Sequence, residues 1–356
     1  MLKNKKYDYV ILGGGCAGLS LAYHLNLSKK LSNKTLCIVE KRKSYSRDKT
    51  WSFWNFENHL FNDCVVKSWN DFYLKCDNKK VRVNCSKYPY QSINSNLFYE
   101  KILSSLKINP NIFFTEYSDK IDLKSGIVFN SIPKKNKKSI FYQHFYGVEI
   151  EIENDYFEPK QFCLMDFSHP KHGVHFFYIL PYSSKKALIE TTWISKNKSH
   201  KKNEYLNEIE TYLNNKLNIY KYNVCYEEIG SLPLSHFNHK KNSNEILIGS
   251  AANLTRKSTG YTFSNIQSHS KFITKNIADI LSFPEFKLHK KYSFYDDILF
   301  KVIENYPSKM PEIFTSLFSK NTSSALKFLS NKSNLVNDFK VIKNLPKRYF
   351  LKALLI

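Results

Sequence analysis

The residues with the clearest chemical purpose are Gly13, Gly15 and Gly18, in the turn Gly13-Gly14-Gly15-Cys16-Ala17-Gly18, together with Glu40 about 20 residues beyond. This is the spacing that holds a dinucleotide. Gly13 permits a tight turn, Gly15 lets the backbone approach a pyrophosphate, and Gly18 lets the next helix pack closely on the preceding strand. The free N–H groups at the N-terminus of that helix face the phosphates. Glu40 closes the strand Thr35-Leu36-Cys37-Ile38-Val39, where a carboxylate accepts hydrogen bonds from both ribose hydroxyls of an adenosine. The glycine turn alone is a weak signal. Here it follows the apolar run Tyr7-Asp8-Tyr9-Val10-Ile11-Leu12 and opens an apolar helix over 19–27. A unit placed this early in a chain favours FAD.

The elements that must position this turn are interrupted. The nucleotide unit begins at residue 7, and an αβ pattern resumes with a helix over 95–107 and strands near Ile112-Phe113-Phe114 and Ile127-Val128-Phe129. It is completed much later by the strand Glu245-Ile246-Leu247-Ile248, a second glycine turn at Gly249-Ser250-Ala251-Ala252, and a loop through Ser258-Thr259-Gly260-Tyr261 into a helix from Thr262 onward. Gly249 and Gly260 therefore join the cofactor candidates. Between the two parts of this unit, residues 141–195 alternate short apolar runs with turn residues, the pattern of an antiparallel sheet. Tyr178-Ile179-Leu180 and Ala187-Leu188-Ile189-Glu190-Thr191-Thr192-Trp193 read as one hairpin, followed by a helix over 203–214 and a strand near 222–226. Residues 290–356 read as amphipathic helix, with Phe294, Ile298, Leu299, Val302 and Ile303 at helical spacing.

The expected architecture is α/β. An FAD/NAD(P)-binding Rossmann-type domain comprises residues 1–75, 94–140 and 243–285, an inserted antiparallel substrate domain 76–93 and 141–242, and a helical C-terminal region 286–356. This is the plan of two-domain FAD proteins of the aromatic hydroxylase type rather than of a plain NAD dehydrogenase.

Composition narrows the function. The chain has 356 residues, 42% of them hydrophobic and 15% aromatic, enough for a large core. A net charge of +23, from 54 Lys and Arg against 31 Asp and Glu, would suit an anionic partner. The lysines are spread along the whole chain, however, with short runs at 134–138 and 196–202 that read as solvated loops, and no aromatic-basic motif for RNA accompanies them. Nucleic acid is not an expected partner. The seven cysteines form no CxxC pair or metal-ligand spacing, which fits a reducing cytosol and predicts no metal site. No run reaches the ~18 apolar residues of a membrane span, and the first residues lead directly into a strand without a signal peptide. The expected location is cytoplasmic.

Several segments resemble the lycopene cyclase family, FAD-containing enzymes that close carotenoid rings. They are Asp8-Tyr9-Val10-Ile11-Leu12 with the glycine turn, Asp48-Lys49-Thr50-Trp51-Ser52-Phe53-Trp54, and Val128-Phe129-Asn130-Ser131. Gln143-His144-Phe145-Tyr146-Gly147, Leu164-Met165-Asp166-Phe167, Tyr178-Ile179-Leu180-Pro181 and Ala187-Leu188-Ile189-Glu190-Thr191-Thr192 follow. Gly249-Ser250-Ala251, Ser258-Thr259-Gly260-Tyr261-Thr262-Phe263 and Phe350-Leu351-Lys352-Ala353-Leu354 complete the series. The resemblance runs in family order over residues 7 to 355. Departures fall at Ala252-Asn253 and Lys257, where the family commonly has a glycine and a proline. Ser250 stands where many flavoproteins have Asp, Lys49 where Arg or His is frequent, and Thr191 where a second acidic residue is common.

The resemblance implies a redox-neutral cyclisation of lycopene, or another linear carotenoid, to β-ionone rings. FAD would act in its reduced form, with NAD(P)H as reductant. Protonating an alkene requires a carboxylic acid kept neutral in an apolar pocket. Glu190, in the position of the family's catalytic acidic motif, is the first candidate, and an outward-facing strand carboxylate is the ordinary alternative. Asp166 follows as proton relay or as a partner tuning Glu190, with a capping or ion-pairing carboxylate as its alternative. Trp51, Trp54, Tyr178 and Tyr261 are candidates to face a cation, or are simply core. A lipid-dissolved substrate implies peripheral contact with the cytoplasmic membrane, for which the apolar C-terminal helices are candidates; packing onto the core would explain them as well. The oligomeric state stays open. The competing activities are a flavin-dependent hydroxylase or a prenyl reductase on the same fold, and, from another class, a basic FAD-binding protein that binds RNA or carries carotenoid.

Overall fold

The structure, a computed structural model, describes residues 5–76, 79–133, 141–167, 173–237 and 241–355. The lysine run at 134–138 lies outside them. The apolar strand Tyr9–Leu12 sits at the centre of a five-stranded parallel sheet ordered Glu245–Leu247, Ile127–Asn130, Tyr9–Leu12, Leu36–Val39, Ile112–Thr115. Val10, Ile11, Leu36 and Ile38 are fully buried there, as strands covered on both faces must be. The helix Cys16–Leu27 packs against Ser95–Lys107 and Phe263–Lys275. Asn94 fixes the start of the second of these, its side chain accepting from the Asn96 N–H at 2.9 Å.

A seven-stranded sheet is inserted in this lobe, ordered Asn223–Pro233, Tyr142–Glu151, Lys186–Ser195, Val174–Pro181, Gln161–Asp166, Asp71–Cys76, Lys79–Asn84. Its pairs are antiparallel except that of Gln161–Asp166 with Asp71–Cys76. The helix Lys202–Lys216 covers one face, where Tyr205, Ile209, Tyr212 and Leu213 share a core with Ile189 and Trp193. The other face shares a core with the C-terminal helices Lys290–Asn305, Met310–Phe318, Thr322–Leu329, Leu335–Asn344 and Lys347–Leu355. A small sheet of Thr50–Trp54, Tyr90–Asn94 and Val65–Trp69 stands between the lobes.

Three expectations about the fold need correction. Residues 71–75 belong to the large sheet, because Phe72 and Leu74 pair with Gln161–Asp166 and bury fully; the chain leaves the nucleotide lobe earlier than its composition suggests. Residues 90–93 pair with Thr50–Trp54 rather than with the substrate sheet. Phe294, counted with the apolar helix face, is 57% exposed, whereas Val302 and Ile303 bury.

Candidate active site

Four adjacent strands of the large sheet place Tyr178, Glu190, Gly147 and Glu228 in one row, each directly opposite the next. Directly opposed residues share a face, and this face forms a wall of a cavity of about 850 Å³. Two residues along each strand, Phe176, Thr192, Phe145 and Gly230 form the next row of the same wall. Gly147 is the one member without a side chain. A Cβ there would stand 3.3 Å from Glu228 Cγ, 3.6 Å from Glu190 Cβ and 3.2 Å from Leu188 Cδ1. The glycine thus leaves open the space between the stems of the two glutamates.

Glu190 and Glu228 are 8% and 5% exposed. Burial, reinforced by the carboxylate of Glu228, pushes Glu190 up to about 8, against the pull of the Thr192 hydroxyl and the charge of Lys49. Burial also raises Glu228, against the hydrogen bond from Tyr226, the nearby hydroxyl of Thr50 and the charges of Lys49 and Arg47. The Tyr226 hydroxyl donates to Glu228 Oε2 at 3.1 Å. Arg47 is engaged by Glu149 at 2.6 Å, while Lys49 lines the cavity and donates to the Ile229 carbonyl at 2.7 Å. A neutral carboxylic acid facing an apolar cavity near pH 7 is a competent proton donor.

Glu228 was not legible in the sequence. The expected strand near 222–226 stops short of it. Glu227 points outward, to Lys202 at 2.7 Å, and the period of two turns Glu228 inward. Gly147, in a strand otherwise rich in bulky residues, is the signal that points to a close approach.

Asp166 is not brought to Glu190. Strict alternation would aim it with Leu164 into the cavity, but pairing slips between Cys163 and Asp166 on both neighbouring strands. This bulge leaves Leu164 and Met165 on the cavity wall and turns Asp166 to the opposite face. There the Tyr212 hydroxyl donates to it at 2.6 Å and Lys75 lies 3.6 Å away. The placement favours its ion-pairing alternative. Thr191 also faces away, donating to Glu208 at 2.7 Å, so a departure at that position removes no carboxylate from the cavity. Trp51, Tyr178 and Tyr261 line the cavity, whereas Trp54 packs behind it against Tyr90, Phe72 and Phe162.

At one end the cavity reaches Cys16, at the start of the first helix, and Ser250 and Gly260 of the second glycine site. Gly13 and Gly249 have φ of +97° and +60°, backbone that favours glycine. A Cβ on Gly18 would strike the Gly13 carbonyl oxygen at 1.9 Å and one on Gly249 would meet Ala17 Cβ at 2.6 Å, so these two serve close packing. A Cβ on Gly15 would find only Arg42 Nη2, at 4.0 Å. The space above Gly15 is the cradle a phosphate needs. Glu40 accepts from the Gly14 N–H at 2.8 Å and the Arg42 N–H at 3.0 Å. Burial opposes its charge, but these bonds and the Arg42 guanidinium outweigh it and hold Glu40 below the usual carboxylate range. An ionised acceptor, an adjacent guanidinium and an open glycine cradle fit an adenine dinucleotide. Among the described residues no group of His, Cys, Asp and Glu has the arrangement of a metal site.

At its other end the cavity is bounded by Phe314, Leu317, Leu345, Leu351 and Leu354 of the C-terminal helices. Leu351 and Leu354 are also exposed, so the apolar lining continues onto the surface.

A Rossmann-type lobe with an inserted antiparallel sheet and a cavity reaching from the glycine turns along that sheet defines the FAD-binding fold of flavoprotein oxidoreductases. The solved structures it resembles carry that fold at low identity. A geranylgeranyl bacteriochlorophyll reductase-like protein from Thermoplasma acidophilum has a TM-score of 0.68 at 11% identity, covering 98% of each chain. A flavoprotein/dehydrogenase from Cytophaga hutchinsonii scores 0.62 at 11% identity, covering 99% of each. The flavin-dependent brominase Bmp2 scores 0.60 at 11% identity, covering 92% of this chain and 94% of its own. No curated protein matches. The family described as lycopene cyclase protein matches residues 8–297, and the chain belongs to that family.

Proposed function

We propose that this protein is a lycopene β-cyclase, converting the ψ end groups of lycopene to β-ionone rings, with γ-carotene as the one-ring product and β-carotene as the two-ring product. The observation that carries the reading is Glu190, a buried carboxyl held neutral near pH 7 on the wall of an apolar cavity. Glu190 gives its proton to the terminal double bond, the resulting cation closes on the chain, and a ring proton leaves; no electrons are gained or lost overall. Tyr178, Tyr261 and Trp51 present rings to the cavity, and aromatic faces stabilise cations excluded from water. Gly15, Glu40, Arg42 and Ser250 would hold FAD. When bound and reduced by NAD(P)H, the flavin would supply negative charge able to stabilise a cation.

The same reading proposes how substrate arrives. Leu335, Val336 and Phe339 on one C-terminal helix and Leu351, Leu354 and Leu355 on the next are exposed, interspersed with exposed Lys340, Lys343 and Lys352. Apolar side chains flanked by lysines suit the cytoplasmic face of an anionic bilayer, and no helix among the described residues is long and apolar enough to cross one. The docked helices would open the cavity mouth to lipid.

Expression in cells that accumulate lycopene, followed by pigment analysis, tests the activity. β-Carotene or γ-carotene is expected with wild type and lycopene alone with E190Q. Unchanged lycopene with folded, flavin-loaded wild type overturns the cyclase reading. NAD(P)H consumed in proportion to product would favour a reductase or hydroxylase.

A further inference from the structure

Ring closure needs a proton given and a proton taken, and the cavity wall holds two carboxyl groups. Resting on the cyclase reading, we propose that Glu190 and Glu228 form one acid–base couple holding a single proton, with Glu190 donating to the substrate and Glu228 accepting the proton that leaves the ring.

The geometry is that of the row Tyr178, Glu190, Gly147, Glu228. Both glutamates line the same cavity, and both stand within 3.6 Å of the point that a Cβ on Gly147 would occupy. Two carboxylates brought together out of water do not both ionise readily, so such a pair keeps a proton. The groups facing them support one negative charge rather than two. Lys49 acts on both carboxyls, whereas the guanidinium of Arg47, which also faces Glu228, is directed to Glu149, a carboxylate it shares with Lys186. Thr50 and Tyr226 face Glu228, Thr192 faces Glu190, and Tyr178 stands beside Glu190 as a neutral phenol whose ionisation burial suppresses.

The proton balance closes over one ring. The couple starts with Glu190 protonated and Glu228 ionised. The Glu190 O–H bond breaks as a C–H bond forms at the terminal double bond, leaving two carboxylates facing one carbocation. A chain double bond then gives its π pair to that cation, which forms the ring C–C bond and moves the positive charge onto a ring carbon. The new ring loses a neighbouring C–H proton to Glu228, and the double bond of the ring forms from that bonding pair. Transfer of the proton from Glu228 to Glu190 restores the starting state, with no oxidant, reductant or bulk proton consumed.

The test pairs two measurements on the flavin-loaded full chain. The first is an infrared titration of the protonated carboxyl band without substrate, in wild type, E190Q and E228Q. The second is the pH profile of lycopene cyclisation in lycopene-loaded liposomes, adding E228D. Coupling predicts that E228Q lowers the titration of Glu190 by about one pH unit or more, and that E190Q lowers that of Glu228 equally. E228Q should also slow turnover by about 10²-fold or more, move the alkaline limb of the profile to lower pH, and be partly rescued in E228D. A Glu190 titration identical in wild type and E228Q overturns the couple, as does a normal rate and alkaline limb in E228Q, while wild-type cyclisation would leave the cyclase reading standing. Coupled titration with no cyclisation by wild type instead removes the cyclase reading, and the catalytic role of the couple with it. If E228Q does not fold, the titration of Glu228 in E190Q and the profile of E228D decide the same question.

Discussion

Arg256 and Asp296 form a buried ion pair that ties the second glycine site to the C-terminal helices. The Arg256 Nε donates to both carboxylate oxygens of Asp296, at 3.0 and 3.1 Å, and its Nη1 donates to the Phe328 carbonyl at 2.7 Å and to Asn331 at 2.8 Å. Beside it Lys257 pairs with Asp297. That ion pair gives the loop a second local anchor. Cutting one partner from a buried pair leaves an uncompensated charge, at about 3–5 kcal/mol. Asp296→Ala should lose stability of that order in chemical denaturation. It should also weaken flavin binding, measured by fluorescence titration, because the loop carrying Gly260 loses its tether.

The two cavity carboxyls make stability depend on pH. Both fold with raised affinity for a proton, Glu190 to about 8. The sign follows: a raised folded value contributes stability in full below the unfolded value near 4.5 and loses it as pH climbs through the folded one. Between about pH 5 and pH 8 the wild type should lose stability, by up to several kcal/mol for groups this buried. E190Q removes its part of that slope. Its midpoint in thermal melts should rise relative to wild type as the buffer is taken from pH 5 to pH 8, and a constant difference would contradict the buried neutral acid.

Asp166 is expected to be structural. Its bonds run to Tyr212 on the helix Lys202–Lys216 and to Lys75 on the neighbouring strand. Asp166→Asn should destabilise by about 1–3 kcal/mol, the cost of weakening a buried charged hydrogen bond. The alkaline limb of the cyclisation profile should stay where it is in wild type. A shift like that expected for E228Q would return Asp166 to the acid–base machinery.

These cases mark what sequence can and cannot carry. The glycine turn and Glu40 were legible because their roles depend on local spacing along one strand, turn and helix. Glu190 was legible as a carboxylate amid apolar residues within a recognised block. Asp166 misled because one inserted residue in a strand reverses every side chain beyond it, and the slip between Cys163 and Asp166 depends on pairing with two distant strands. Glu228 was missed for the same reason: its partner is set by register across Gly147, about 80 residues earlier in the chain. The domain boundary expected after residue 75 fell too late because the parallel pairing of Asp71–Cys76 with a distant strand overrides local composition.

The apolar rim should govern access rather than chemistry. Phe339 and Leu351 are 68% and 60% exposed, and Leu351 also lines the cavity, so one side chain touches both solvent and substrate space. Both lie on helices rather than in the sheet that carries Glu190, and charging an exposed position costs the fold little. Replacing both with Glu removes apolar area from the contact and adds negative charge facing anionic headgroups, where each basic residue contributes about 1 kcal/mol of attraction. The double variant should therefore pellet at least about 10-fold less with anionic liposomes. Its cyclisation should show a raised apparent KM for liposomal lycopene with an unchanged kcat. Removal of the last seven residues should act in the same direction. Undiminished liposome binding by both variants would mean that these helices only pack on the core and that substrate reaches the cavity elsewhere.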